Sequence, residues 1–291
     1  MKKISLFFFI STILLIVSFN IFSQNLRLEK IWETDTIFKR PESIVFDSLR
    51  NRLYISNYNR YPKKIELCND YISILDLDGN IISLRWIKNL KAPTGLYIKS
   101  DCLYIVERDG ISKYDIDSKK FIWKKIIPNA IFLNDIIVDN NESIYITDTS
   151  PKIPKNSIIR KLQNNKIDTL VDEPIMRANG LQKCDNYLII GNNGDNYLKK
   201  INLENLEISN IAKLDTGIID GIKVYQKNTY LVSHCEGRLF LISSDNEVIE
   251  LLDLRNQKIN IADFEYIHKS NLIIIPTYES NKIIAYKITR N

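Results

Sequence analysis

One pattern recurs six times along the 291 residues: a polar residue, an apolar run, a tight turn and a second apolar run resembling "LYIS". The copies are "PESIVFDSLRNRLYIS" from Pro41, "APTGLYIKSDCLYIV" from Ala92, "LNDIIVDNNESIYIT" from Leu133, "ANGLQKCDNYLIIG" from Ala178, "IDGIKVYQKNTYLVS" from Ile219 and "ADFEYIHKSNLIIIP" from Ala262. They are spaced 41 to 51 residues apart. A unit that recurs at this period cannot bury its apolar face alone and has to stack on its neighbours. Each pattern is followed by two more apolar runs around a turn, as in "YISILDLDGNIISLRW" from Tyr71 and "LFLISSDNEVIELLDL" from Leu239. Alternating apolar residues bounded by Asp, Asn, Gly and Ser predict antiparallel strands joined by hairpins. Each unit is therefore expected to be a four-stranded sheet, with strands a to d.

The sixth unit is one strand short, because the chain ends after "KIIAYKITRN". "LRLEKIWETD", Leu26 to Asp35, stands alone before the first unit. A deficit at one end and a surplus at the other predict a closed ring, in which the N-terminal strand completes the last sheet and removes two open edges. The expected fold is all-β, a six-bladed propeller with almost no helix. A β-sandwich, the other all-β arrangement, gives no reason for six equal units.

Residues 1–23 are read separately from 24–291, which are assigned to the propeller. Lys2-Lys3, the apolar run Ile4 to Phe22 and Ser23 are expected to be a secretory signal peptide cleaved after Ser23, with an uncleaved anchor as the alternative. Export to the periplasm or the medium follows from cleavage, and no later segment is apolar enough to span a bilayer. The net charge of +5, which becomes +3 once Lys2 and Lys3 are removed, is scattered in both signs, and this argues against a nucleic-acid partner. The four cysteines, Cys68, Cys102, Cys184 and Cys235, match no zinc spacing, and one disulfide or none is expected. A monomer acting on a small molecule fits this composition.

In such a ring strand a of every unit lines the central channel, so residues in the same phase of different units meet at one mouth. The second residue of each copy is Glu42, Pro93, Asn134, Asn179, Asp220 and Asp263. Asn-Asp, Asn-Gly and Asp-Gly are ordinary turn dipeptides, and each alone is more often a turn than a ligand. Shared phase changes that reading for Glu42, Asn134, Asn179 and Asp220. Together they offer two carboxylates and two amides, hard oxygen donors suited to Ca²⁺ or another divalent metal. Of the other acidic patterns, "DLDGN" at Asp76 is read as a c–d turn, since it lacks the closing Glu of a Ca²⁺ loop.

These motifs, "PESIVFD", "LND", "ANGL" and "DGI", resemble those of the gluconolactonase/regucalcin family, to which paraoxonases and diisopropyl fluorophosphatase are related. The resemblance extends over the mature chain. It implies a divalent metal, usually Ca²⁺, held by Glu42, Asn134, Asn179 and Asp220, with Asp220 as the catalytic base or nucleophile in opening a lactone or ester. The chain departs from the family in two places. Sugar lactonases of that family often carry an Arg two residues before the third-copy Asn, where this chain has Phe132. Copy two opens with Pro93-Thr94-Gly95, which brings no carboxylate. The acidic pair Asp263 and Glu265 is left without a role.

Loops between strands b and c are expected to shape the pocket. They offer Arg60, on the long loop of copy one, and Asp148 as weak substrate contacts. Thr94 joins them from copy two. His234, ending strand b of copy five, is a second candidate base, with a rim histidine of no catalytic role as the other reading. The leading expectation is an exported Ca²⁺-dependent hydrolase of a lactone or related ester. The alternative is a non-catalytic propeller that serves as a binding or scaffold module, since propellers serve both ends.

Overall fold

The computed structural model describes residues 26–58, 69–150, 157–171, 175–215 and 217–290. Residues 1–23, Cys68 and the 59–68 loop with Arg60 lie outside the described residues. Six separate four-stranded antiparallel sheets account for 24 strands. Blade 1 is β2–β5 (Pro41–Asp47, Arg52–Asn57, Asp70–Leu75, Ile81–Leu90), and blade 2 is β6–β9 (Leu96–Lys99, Cys102–Glu107, Gly110–Asp115, Phe121–Ile126). Blade 3 is β10–β13 (Leu133–Val138, Ile144–Asp148, Ile158–Gln163, Lys166–Val171), and blade 4 is β14–β17 (Ala178–Cys184, Tyr187–Asn192, Tyr197–Asn202, Ile208–Lys213). Blade 5 is β18–β21 (Ile219–Gln226, Thr229–His234, Arg238–Ile242, Val248–Asp253).

Blade 6 closes the ring. β22 (Glu265–Ile267), β23 (Leu272–Thr277) and β24 (Lys282–Arg290) are joined by β1 (Leu26–Glu33) as the outermost strand. β1 runs antiparallel to β24, from Leu26 opposite Arg290 to Glu33 opposite Ile284. Trp32 of β1 also reaches into blade 1, where its indole N–H donates to the Leu77 carbonyl at 2.9 Å. The only helical segment among the described residues is one 3-10 turn, Arg255–Gln257, and no helix there is long and apolar enough to cross a membrane.

Burial follows the ring. Strand β10 of blade 3 is buried throughout, whereas the outer strands β9 and β13 are largely open to solvent. An apolar cluster fills each of the six blade junctions. The junction of blades 6 and 1 contains Ile44, Leu53 and Ile55 against Ile267, Ile274 and Ile283. The junction of blades 3 and 4 contains Ile137, Tyr145 and Ile159 against Leu181, Leu188 and Ile190. Isoleucine and leucine on both faces of a strand suit a sheet packed between two others, since each face loses water and contributes roughly 25 cal/mol per Å² of apolar surface. Cys102, Cys184 and Cys235 form no disulfide.

Candidate metal centre

The first residues of strand a do not pair regularly. Between Pro41 and Ile44, Leu133 and Ile136, Ala178 and Leu181, and Ile219 and Ile222 the register shifts, so a bulge of two residues opens each of these strands. Glu42, Asn134, Asn179 and Asp220 occupy those bulges. A bulge leaves the strand locally unpaired and re-aims its side chain, which turns these four residues toward the axis. In three blades a hydroxyl from strand b caps the freed backbone. Ser56 Oγ accepts from the Ser43 N–H at 2.9 Å, Thr147 Oγ1 from Asp135 at 2.9 Å, and Ser233 Oγ from Gly221 at 2.7 Å. Blade 4 uses close approach instead. A Cβ on Gly180 would lie 1.5 Å from the Asp220 carbonyl oxygen, so only glycine fits there.

All four side chains line one cavity of about 670 Å³ at the mouth of the channel. Each is only 8% exposed. Glu42 Oε2 and Asn179 Oδ1 are buried with no hydrogen-bond partner. Buried oxygens in that state cost stability unless something satisfies them. The carboxyl of Glu42 is held well above the usual range, first by burial and then by Asp220, Asp263 and Asp135. That of Asp220 is likewise raised by burial, then by Asp263 and Asp135. Among the described residues no three His, Cys, Asp or Glu side chains form a metal cluster. The quartet instead combines two carboxylates with two amides. Its orphaned oxygens and mutual repulsion fit a divalent cation, which takes about 6–8 oxygen ligands as Ca²⁺.

A second layer lies below this mouth. Asp263, in the same phase as the quartet, accepts from Ser43 Oγ at 2.7 Å, and its other oxygen is 3.5 Å from Lys223 Nζ. Its N–H donates to the Glu42 carbonyl at 3.0 Å, which locks blade 6 to blade 1. Asp135 accepts from the N–H groups of Ile136 and Leu181, both at 2.7 Å, and its carboxyl is pushed up to about 7 by burial and then by Asp263. Glu265 accepts from the Phe46 and Tyr266 N–H groups at 3.1 and 2.8 Å. Burial alone would lower the Lys223 ammonium, but Asp263, Glu265 and Asp135 outweigh it and hold the side chain charged. Asp263 and Glu265, which the sequence left without a role, are thus part of a buried ion network. Lys223 escaped the sequence reading, although a lysine on an innermost strand was a signal in itself.

The weaker candidates lie elsewhere. Asp148 is fully buried and does not line the cavity. Its Oδ1 accepts from the Ile131 and Phe132 N–H groups, both at 2.9 Å, and its Oδ2 pairs with Arg160 at 2.7 Å. It therefore holds the turn that carries Phe132. Thr94 is buried, with Oγ1 donating to the Leu133 carbonyl at 3.2 Å. His234 is buried edge-on against Phe240, with ring centroids 6.2 Å apart. Its imidazole also packs on Gly217, where φ is +125° and a Cβ would lie 1.8 Å from Cε1. Neither Thr94 nor His234 lines the cavity.

What lines it is the residue after each strand-b end. Tyr58, Arg108, Thr149, Asn193, Cys235 and Tyr278 follow Asn57, Glu107, Asp148, Asn192, His234 and Thr277. The earlier residue of each pair is buried, and most of them accept from backbone N–H groups, either of the segment entering strand a or of the loop that follows. Asn57 Oδ1 accepts from the Lys39 N–H at 3.1 Å, and Asn192 Oδ1 from that of Gly194 at 3.0 Å. Side chains alternate along a strand, so a shift of one residue exchanges the junction for the cavity. Phe132, Arg177, Ile218 and Ile261, each two residues before its blade's phase position, complete most of the wall.

No model of a known protein family matches the chain, and no curated protein matches it in sequence. Its structure is similar to several solved propellers. A provisionally assigned gluconolactonase superposes with a TM-score of 0.70 at 12% identity, covering 91% of this chain and 93% of that one. Regucalcin from Agrobacterium tumefaciens, described as a calcium-binding protein, gives 0.66 at 12%, over 86% and 91%. A streptogramin B lyase gives 0.64 at 14%, over 92% and 99%. The first two represent the family that the strand-a motifs resemble. At these identities the likeness is one of fold.

Proposed function

We propose that this chain is an exported, divalent-metal-dependent hydrolase that opens a lactone or a related ester. The observation that carries the reading is the quartet: Glu42, Asn134, Asn179 and Asp220, set on bulges of four blades, face one cavity with two oxygens buried and unsatisfied. These four side chains would hold the ion, with Ca²⁺ as the first candidate. When bound, it supplies Lewis-acid polarisation of a carbonyl oxygen. The two carboxylates balance a divalent charge, and the two amides add donors without adding repulsion.

Asp220 is assigned the proton transfer. In its ionised form it takes the proton of a water that adds to the ester carbonyl carbon. Collapse of the adduct breaks the bond to the alkoxy oxygen, which leaves as a hydroxyl after taking a proton, and a carboxylic acid remains. Burial of all four side chains limits competing water at the reacting centre. Asp148 acts at one remove, by fixing the turn behind Phe132.

The test is metal content of the purified mature chain together with turnover of a lactone, ester and phosphotriester panel, with and without chelator. Chelation should abolish turnover. Asp220→Asn keeps an oxygen donor and loses the base, so turnover should fall at least about a hundredfold while metal still binds, though more weakly. Full activity of Asp220→Asn with metal bound would remove Asp220 from the chemistry. A metal-loaded wild type that turns over no member of the panel would leave a non-catalytic binding module.

A further inference from the structure

One side of the cavity is a continuous aromatic wall. The rings of Phe132 and Tyr58 lie 6.5 Å apart between centroids, tilted by 55°, and those of Tyr58 and Tyr278 lie 6.4 Å apart, tilted by 40°. Such separations are favourable ring contacts, so the three rings support one another as a surface. They come from blades 3, 1 and 6. Blade 2, between Phe132 and Tyr58, contributes Arg108 to the same cavity. Arg108 is exposed, and its guanidinium has no ion-pair partner among the described residues. The neighbouring cation, Arg40, is already engaged: it sits 5.7 Å from the centre of the Tyr278 ring and pairs with Glu279 at 3.2 Å. Around the rest of the mouth, Ile218, Ile261 and Ala262 alternate with the polar Arg177, Asn193, Asn260 and Glu279, so the apolar surface is concentrated on the side of the three rings.

We infer that the ligand of this cavity is a flat aromatic anion, whose ring lies along Phe132, Tyr58 and Tyr278 and whose negative group meets Arg108. For the bond that is broken this rests on the hydrolase reading, where the ligand is the aryl part of an ester or lactone bearing a carboxylate. Along the Phe132 ring a polyhydroxylated ligand has no polar atom to pair with, and hydroxyls seated there lose their hydration. An aromatic ring loses only apolar contact with water and gains ring contacts along the wall, tilted as those of Tyr58 with Phe132 and Tyr278 are. A carboxylate beside a planar guanidinium gains a charge-assisted pair whose two parallel N–H donors fix its orientation.

The probes are 2-naphthoate, 2-naphthalenemethanol, hexanoate and gluconate, titrated calorimetrically into the full mature chain in the presence of Ca²⁺. Naphthoate should bind at least about tenfold more tightly than each of the other three, the aromatic contact and the charge pair each accounting for about one factor of ten. Phe132→Ala should weaken naphthoate by about tenfold and leave hexanoate within about twofold. Arg108→Gln should weaken naphthoate similarly and leave the neutral naphthalenemethanol unchanged. Arg108 is exposed, so this variant reports on binding rather than folding; melting curves on the same samples check that Phe132→Ala is folded. Gluconate bound as tightly as naphthoate, or naphthoate affinity unmoved in both variants, would overturn the inference. Turnover on the ester panel is scored separately. Selective naphthoate binding without turnover removes the hydrolase reading and upholds this one, whereas turnover of a sugar lactone with no naphthoate preference does the reverse.

Discussion

Replacing Lys223 by methionine keeps an unbranched chain one atom shorter and removes the ammonium that faces Asp263, Glu265 and Asp135 behind the quartet. Lys223 Nζ is 3.5 Å from Asp263 Oδ1, and 21% of its side chain remains accessible. At that distance, with an effective dielectric constant of about 20, the Coulomb attraction to Asp263 alone is about 5 kcal/mol. Part of it is offset by the dehydration of both ions, and breaking a buried pair from one side costs about 3–5 kcal/mol. The loss depends on pH in a direction that can be worked out. The Asp135 carboxyl is pushed up to about 7, by burial first and then by Asp263, from an unfolded value of about 4. A carboxyl raised in the folded state favours folding while protonated. Its contribution is complete below the unfolded value and is lost as pH rises through about 7. Near pH 5 Asp135 is largely protonated and Lys223 has less charge to offset. Near pH 8 it is ionised and Lys223 is needed. Urea unfolding of the chelator-treated protein should therefore give Lys223→Met a deficit of about 3–5 kcal/mol near pH 8 and clearly less near pH 5. Lys223→Arg, which keeps the charge, should recover most of the deficit. A deficit below about 1 kcal/mol at pH 8, or one equal at both pH values, would refute the assignment of Lys223 as the internal counter-ion.

Two further variants test the frame around the site. Trp32→Ala removes the indole that packs over Gly79 and donates to the Leu77 carbonyl at 2.9 Å, where the closing strand of blade 6 grips blade 1. A loss of about 2–4 kcal/mol in denaturant unfolding is expected, and an unchanged midpoint would show that closure does not depend on this grip. Gly180→Ala would place a methyl 1.5 Å from the Asp220 carbonyl oxygen, and that oxygen belongs to backbone that cannot yield. It should cost about 3 kcal/mol or more and weaken metal binding at the quartet, read by thermal melts with and without added Ca²⁺; a stable variant with wild-type metal affinity would disprove the close packing of blades 4 and 5.

The repeat carried most of the architecture. Its period set the number of strands per blade, its six copies set the ring, and the unpaired strand Leu26 to Asp35 set the closure, because an all-β chain has to remove its sheet edges. Phase carried the quartet for the same reason: equivalent positions in a ring face one axis, and four oxygen-bearing residues share one phase. What depends on strand pairing across the ring was not legible. Asp148 and His234 end their strands beside the site, yet the alternation of side chains puts them into blade junctions and their neighbours Thr149 and Cys235 into the cavity. That choice is set by which face each blade buries, and both faces are apolar enough along the strand to leave it open in sequence. Lys223 has no acid beside it in the chain, and its partners Asp135, Asp263 and Glu265 arrive from blades 3 and 6. The rings of Tyr58, Phe132 and Tyr278 belong to three blades and form a wall only because the ring closes. Local pattern determines where a strand begins and which element it joins, whereas side chains distant in sequence become neighbours only once the apolar junctions have packed and the N-terminal strand has joined the last blade.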